Sequence, residues 1–253
     1  MNNKAKHSVA TSQKTIRILD TLRSLGGAGV TELAVELDMN KSTVHNHLST
    51  LEAEELVVQN DNEYELALRL LELGGYVQNQ SPLYTIAGQE LESLASKSGE
   101  LATLTVEEHG RSVCLAIERG HQAVTLDIYP GYRRPIHLTA HGKAILAHLP
   151  AERVDDIVER HGLNAATARS VTDRQQLQSQ LTTVRDQGYA VDEGEYIDGL
   201  QCVAAPIQSD DDEVIGAIGI SAPASRGDSD GILDGHPELV QSSANIIQIN
   251  INH

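Results

Sequence analysis

Within nine residues the chain carries Lys41, Ser42, Thr43, His45, Asn46 and Ser49, hydrogen-bonding side chains of a size that enters a nucleic-acid groove. An asparagine can bond an adenine edge through two atoms at once, serine and histidine can bond base edges, and lysine neutralises a phosphate. Val44, Leu48 and Leu51 recur among them at i, i+4, i+7. A helix that buries those three presents Ser42, His45, Asn46 and Ser49 on its other side. Lys41 and the amides near Asn40 then stand at the helix start, where a phosphate is favoured. Every amphipathic helix has a polar outer face, so this pattern has to be weighed with its surroundings.

A second constellation suits thiol chemistry. Cys202, with His137 or His141 as base and Asp192 as orienting carboxylate, has the composition of an activated-thiolate enzyme. Oxidation of Cys114 or Cys202 is alternatively the sensing step of a redox regulator. His109, His121, His137, His141 and Cys202 are residues of metal-ligating type, but no CxxC or CxxH pair supports a metal sensor. Eleven histidines in an acidic chain read more simply as surface and capping residues, two cysteines cannot scaffold a chain of this size, and no cofactor or metal is expected.

The elements that must hold these groups follow from periodicity. Ile16, Leu19, Leu22 and Leu25 predict one face of a first helix that Gly26-Gly27 stops, and Thr31 is placed to cap a second helix with Leu33, Ala34 and Leu37 inside. Asp38-Met39-Asn40 is a tight turn into the helix of Val44, which makes a helix-turn-helix. Runs 56–59 and 64–66 around Asn60-Asp61-Asn62 predict a hairpin, the wing. Residues 68–80 are helical and end at Ser81-Pro82.

Beyond that point a helix is predicted from Leu83 to about Lys97, then strands at 101–108, 112–118 and 123–129, then helices at 139–149, 152–161 and 173–187. Strands at 202–208 and 214–221 flank an acidic turn, and the segment from Pro237 fits a helix or, through Ile246, Ile247, Ile249 and Ile251, a strand. The expected architecture is an N-terminal all-α winged helix-turn-helix (1–68), a linker helix (69–81) and an α+β domain with a mostly antiparallel sheet (82–253).

Composition supplies the solvent. The chain is 253 residues long and 40% hydrophobic, enough for a core in each part, and its formal charge is −17. Residues 1–80 hold 7 basic and 11 acidic side chains, leaving 12 and 25 for the rest, and Lys4, Lys6, Lys14 and Arg17 precede or open the first helix. Acidic residues far outnumber lysines, and Phe and Trp are absent, as suits a halophilic cytoplasm. At molar salt counterion release contributes little, so an acidic DNA binder leans on hydrogen bonds and shape. With no long apolar run and no apolar stretch after Met1-Asn2-Asn3-Lys4, a cytoplasmic location is expected.

The segments "TELAVELDMNKSTVHNHLSTLE", "LRLLELG", "IHLTAHGKAILAHLP" and "GYAVDEGEYIDGLQCVAAPIQSDDDEVIGAIGISAP" together resemble the isocitrate lyase regulator (IclR) family, in order and over nearly the whole chain. The resemblance implies a dimeric or tetrameric regulator that binds a promoter inverted repeat in double-stranded DNA. It also implies a GAF-like C-terminal domain that binds a small metabolite, lined by positions matching Thr139, Ala140, His141, Asp192, Cys202, Gly219 and Ser221. The chain departs from the pattern at Gly219, where a serine can stand, at His141, larger than the usual residue, and at Asn46, where arginine is common.

In physical terms, Thr139 caps a helix whose first amides attract an anion, and His141 adds positive charge if a bound carboxylate raises its pKa. Asp192 accepts from hydroxyls and penalises a second negative charge, and Gly219 opens space. The expected effector is a hydroxy acid, a sugar acid or a sugar. Each residue also has a plainer role, Thr139 as a cap, Asp192 as a solvated turn residue and Cys202 as a small buried apolar group.

Overall fold

Among the residues that the computed structural model describes, 8–226 and 235–251, the chain divides into two units, 2–80 and 81–253. The first is built on helices α1 (Ala10–Leu25), α2 (Val30–Glu36) and α3 (Lys41–Ala53). Its core joins Ile18 and Leu22 to Leu33, Leu37, Val44, Leu48, Leu51, Val57 and Tyr64. The inner face of α1 is therefore the Ile18–Leu22 stripe, and Leu19 only flanks it. Ile16 and Leu25, expected inside, are 58% and 42% exposed, because two apolar stripes overlap on this helix and only one meets α2 and α3.

Thr31 is not the cap of α2. The helix starts at Val30, with Gly29 at the cap position and no side-chain bond. A Cβ on Gly29 would stand 3.2 Å from the Asn62 carbonyl oxygen, so the missing side chain lets the wing approach. Asn40 does occupy the cap position of α3 but makes no side-chain cap bond, and Asp38 turns the chain with a left-handed φ of 52°. The wing is β1 (Val57–Asn60) with β2 (Glu63–Leu66), antiparallel, in a register that pairs Asn60 with Glu63 across the two-residue turn. Tyr64 anchors it by exchanging backbone hydrogen bonds of 3.1 and 2.9 Å with Ala28. Helix α4 (Arg69–Asn79) follows and buries none of its residues.

The second unit opens with α5 (Pro82–Ser98). Ser81 Oγ accepts the Tyr84 N–H, Pro82 sits at the first turn, and Gly99 ends the helix with a left-handed φ. The sheet runs β5-β4-β3-β8-β7-β6, built from β3 (Leu101–Glu108), β4 (Arg111–Arg119), β5 (Arg133–Pro135), β6 (Ala190–Glu193), β7 (Leu200–Gln208) and β8 (Val214–Pro223). Every neighbouring pair is antiparallel. The strand expected at 123–129 does not form, and that stretch crosses the sheet as a loop with Val124, Leu126 and Ile128 turned inward. Both edge strands, β5 and β6, are short.

A 3-10 turn at Ile136–Leu138 leads into α6 (Ala140–Leu146), followed by α7 (Ala151–His161) and α8 (Arg174–Gln187). The last element is a helix, α9 (His236–Ile251), because Val240, Ala244 and Ile247 at i, i+4, i+7 all face the core. Helices α5 and α9 cover one face of the sheet, with Leu91, Leu94, Ile218, Ile220 and Ile247 between them. Helices α6, α7 and α8 cover the other, over Cys202, Ala204 and Ala217.

The sheet is curled. Six flat strands would separate its edges by about 24 Å, yet the hydroxyls of Tyr132, next to β5, and Tyr196, just past β6, are 3.2 Å apart. No helix among the described residues is long and apolar enough to cross a membrane.

Candidate functional site

On α3 the side chains of Lys41, Ser42, His45, Asn46 and Ser49 are exposed and Thr43 is half-buried, while Val44, Leu48 and Leu51 are sealed in the core. His47, between the two faces, is tied to α1 through Thr15, whose Oγ1 lies 2.9 Å from its Nδ1. Beside the start of α3, Lys14 and Arg17 line a shallow depression with Asn40 and Thr43, and Arg17 also reaches the Leu37 carbonyl at 3.4 Å. With Lys41 this places three cations around a helix N-terminus, a setting that suits a phosphate. Lys4 and Lys6 lie outside the described residues.

In the second unit Thr139 Oγ1 accepts the Gly142 N–H at 3.0 Å and so starts α6. Gly142 is required there, since a Cβ would stand 1.9 Å from the Ile136 carbonyl oxygen. Thr139, Ala140 and His141 are thereby pressed onto the sheet and buried. The register opposes Asp192 to Cys202 and Cys202 to Ser221, so these three side chains form one row on that face. Cys202 Sγ lies 3.1 Å from Ser221 Oγ. Gly219 occupies the next row, opposite Thr103 and Ala204, and Thr103 Oγ1 lies 2.7 Å from His141 Nε2.

Three readings of these residues change. Burial and the nearby Arg134 hold the His141 ring down at about 3, so it is a neutral group and supplies no charge. Gly219 opens no space, because a Cβ there would lie 2.3 Å from the Val203 carbonyl oxygen and 2.6 Å from Ala204 Cβ. Asp192 is not a solvated turn residue. It is 2% exposed on β6, its Oδ1 accepts the Glu195 N–H at 2.7 Å, and burial lifts its carboxyl to about 6. Beside it Lys143 Nζ and Glu195 Oε1 form a buried ion pair of 2.5 Å.

The residue that sequence reasoning missed is Arg134. It is only 6% exposed, pairs across strands with Ser112, and shares that face with Thr139, whose Oγ1 is 3.4 Å from Ser112 Oγ. Among the described residues its Nε and Nη2 have no hydrogen-bond partner, and neither do Thr105 Oγ1, His141 Nδ1 and Glu195 Oε2. Buried polar atoms without partners are rare, and each of these has room in its bonding for a ligand atom or an ordered water. Three residues are too few to announce a strand, and only once β5 is known does alternation in Arg133-Arg134-Pro135 turn one arginine inward.

The thiol constellation does not assemble. The partner of Cys202 is the Ser221 hydroxyl, while the His137 ring is 3.3 Å from the Asn164 carbonyl and the His141 ring meets Thr103. Burial pushes the Cys202 thiol up to about 12 and the Cys114 thiol up to about 11, so neither supplies a thiolate near neutral pH. His137 and His141 stand four apart in sequence, but one sits in the 3-10 turn and the other in α6. No group of three metal-ligating side chains gathers among the described residues.

Comparison with known proteins agrees with this geometry. The IclR helix-turn-helix domain matches residues 12–61 and the bacterial transcriptional regulator IclR C-terminal family matches residues 75–249. The probable HTH-type transcriptional regulator ArcR of Halobacterium salinarum is 31% identical over 254 residues, covering 99% of this chain and 97% of its own. The HTH-type transcriptional repressor AllR of Klebsiella pneumoniae is 30% identical, covering 95% and 89%. A crystal structure of a Microbacterium hydrocarbonoxydans IclR homologue complexed with 4-hydroxybenzoate shares the fold, with a TM-score of 0.79 at 22% identity, covering 96% of this chain and 99% of that one. A helix-turn-helix unit with an exposed polar face on α3, an α+β unit with a curled antiparallel sheet, and these matches over nearly the full length lead to one assignment: the chain belongs to the IclR family of transcriptional regulators.

Proposed function

We propose that this chain binds a promoter inverted repeat through residues 1–68 and that a small organic effector, bound on the α6 face of the sheet within 82–253, controls that binding through the linker at 69–81. The buried, unpartnered polar atoms of Arg134, His141 and Glu195 carry the effector reading. The occupant is a hydroxy acid, a sugar acid or a sugar, held by Thr139, Ala140, His141, Asp192, Cys202 and Ser221, with Gly219 forming part of the wall. The Microbacterium homologue, of the same fold, holds a hydroxylated acid. Lys41, Ser42, Thr43, His45, Asn46 and Ser49 meet the DNA, with Lys14 and Arg17 on the adjoining phosphates.

The reading includes self-association. Helix α4 exposes Leu73, Tyr76 and Val77 on one side, an apolar patch that a second copy covers, with Leu71 exposed on the other side, and an inverted repeat needs two half-site readers. The working form is a homodimer or a tetramer of such dimers, in the cytoplasm. Footprinting with a His45→Ala, Asn46→Ala double variant tests the DNA half, where each lost base contact costs about 1–3 kcal/mol. An unchanged footprint sinks it. Calorimetry with Asp192→Ala and Thr139→Ala tests the effector half. A ligand that binds both variants as tightly as the unaltered chain places its site elsewhere.

A further inference from the structure

We propose that Arg134 is the carboxylate anchor of the effector site, so that the effector is an organic monocarboxylate bearing hydroxyl groups and a neutral sugar is excluded. The inference rests on the effector-site reading above and narrows it. Nε and Nη2 lie on the same edge of the guanidinium and present two parallel N–H groups, the fork that takes both oxygens of one carboxylate. Both are buried and both are unpartnered.

Among the described residues Glu107 is paired with Arg153, Glu100 with Arg226, Glu195 with Lys143 and Asp155 with Arg174, and no ion pair includes Arg134. Its charge acts on Cys114, His141, Tyr196 and Cys202, all neutral near pH 7. A buried cation with no counter-charge is costly, so its occupant brings the negative charge.

The other end of the ligand is set by the opposite edge of the sheet. The curl brings β5 and β6 toward each other, and there Asp192 and the free Glu195 Oε2 offer acceptors and repel a second anion. Between the two edges Thr103, Cys202 and Ser221 are small, uncharged hydrogen-bonding groups. One carboxylate at Arg134 and hydroxyls toward Asp192 satisfy all of them, and a dicarboxylate does not.

The test uses the full chain in molar potassium salt, unaltered and as Arg134→Met, Asp192→Ala and Thr139→Ala. Calorimetry is run with two matched pairs, gluconate against glucose and 4-hydroxybenzoate against 4-hydroxybenzamide. Melting temperature is followed as potassium formate replaces potassium chloride at constant total salt. The expected result is that an acid binds and its neutral partner does not, and that Arg134→Met weakens the acid on the order of 100-fold while melting no lower than the unaltered chain. Formate should raise the melting point only where Arg134 is present, and this arm decides the matter even if neither acid binds.

An acid held equally by Arg134→Met, or a neutral partner held as tightly as its acid, overturns the anchor and leaves the effector site standing. Formate and chloride giving the same melting points in both proteins also overturns it, as does a marked loss of stability in Arg134→Met, which would make the arginine structural. Acid binding that Arg134→Met removes and Asp192→Ala and Thr139→Ala leave intact supports the anchor and refutes the wider site.

Discussion

Replacing Asp192 by asparagine should stabilise the protein at neutral pH, by an amount that grows as the pH rises from 5 to 8. Asparagine keeps the oxygen that accepts the Glu195 N–H, so what changes is the ability to ionise. Burial raises the carboxyl from 3.8 to about 6, against the opposing pull of that N–H and of Lys143. The folded state therefore holds its proton more tightly than the unfolded chain. Below both values the group is protonated in both states and costs nothing. As the pH climbs through the window between them, the unfolded chain releases the proton first and stability falls; above about 6 the loss is complete. The full gap is worth about 3 kcal/mol, roughly half of which develops between pH 5 and 8. Urea unfolding of both proteins in molar potassium chloride across that range measures the difference directly, since all other titrating groups cancel. A stability difference that stays flat with pH would mean that Asp192 titrates normally and is better solvated than its burial implies.

Other substitutions probe other parts of the structure. Gly142→Ala should destabilise by more than about 3 kcal/mol despite alanine's better helix propensity, because its Cβ would meet the Ile136 carbonyl, and a melting point within a degree of the unaltered chain would contradict the packing. Neither Cys114 nor Cys202 should react with iodoacetamide in the native protein at pH 8, whereas both should react in urea; mass spectrometry showing alkylated Cys202 in the folded protein would restore the thiolate reading. A Leu73→Glu, Val77→Glu pair, at positions 52% and 67% exposed, should shift light-scattering mass toward the monomer with little change in melting point, and an unaltered mass would remove α4 from the interface. With a formal charge of −17 the chain should lose structure in dilute buffer and regain it in molar salt, and circular dichroism that is the same in both would refute the halophilic assignment.

What the sequence revealed and what it hid have physical reasons. The Val44, Leu48, Leu51 face, the break between α4 and α5 at Ser81-Pro82 and the long strands β3, β4, β7 and β8 were legible because a single strong period, or a proline, left one solution; that Ser81 caps α5 was not read. The face of α1 was not, because its apolar residues fit two stripes and only tertiary contact selects Ile18 and Leu22. Strands β5 and β6, three and four residues long, are too short for alternation to register, and the loop at 123–129 is apolar because it lies on the sheet, not in it.

The site followed the same division. Thr139 as a cap and the Cys202–Ser221 adjacency could be read from the residues, since each depends on near neighbours or on hairpin register. The neutrality of His141, the crowding at Gly219 and the inward turn of Arg134 depend on what the rest of the fold removes from water, and no local pattern carries that.

Strand β8 divides its residues between the two layers: Ala217, Gly219 and Ser221 face α6, whereas Gly216, Ile218 and Ile220 face α5 and α9. At Gly216 the contact is so close that a Cβ would stand 2.8 Å from Leu83 Cδ2, in the first turn of α5. The two layers are thus the two sides of a plate one peptide thick. Close-packed interiors have little compressibility, so a shift of β8 has nothing soft in which to dissipate and is handed on to Leu83 and the start of α5.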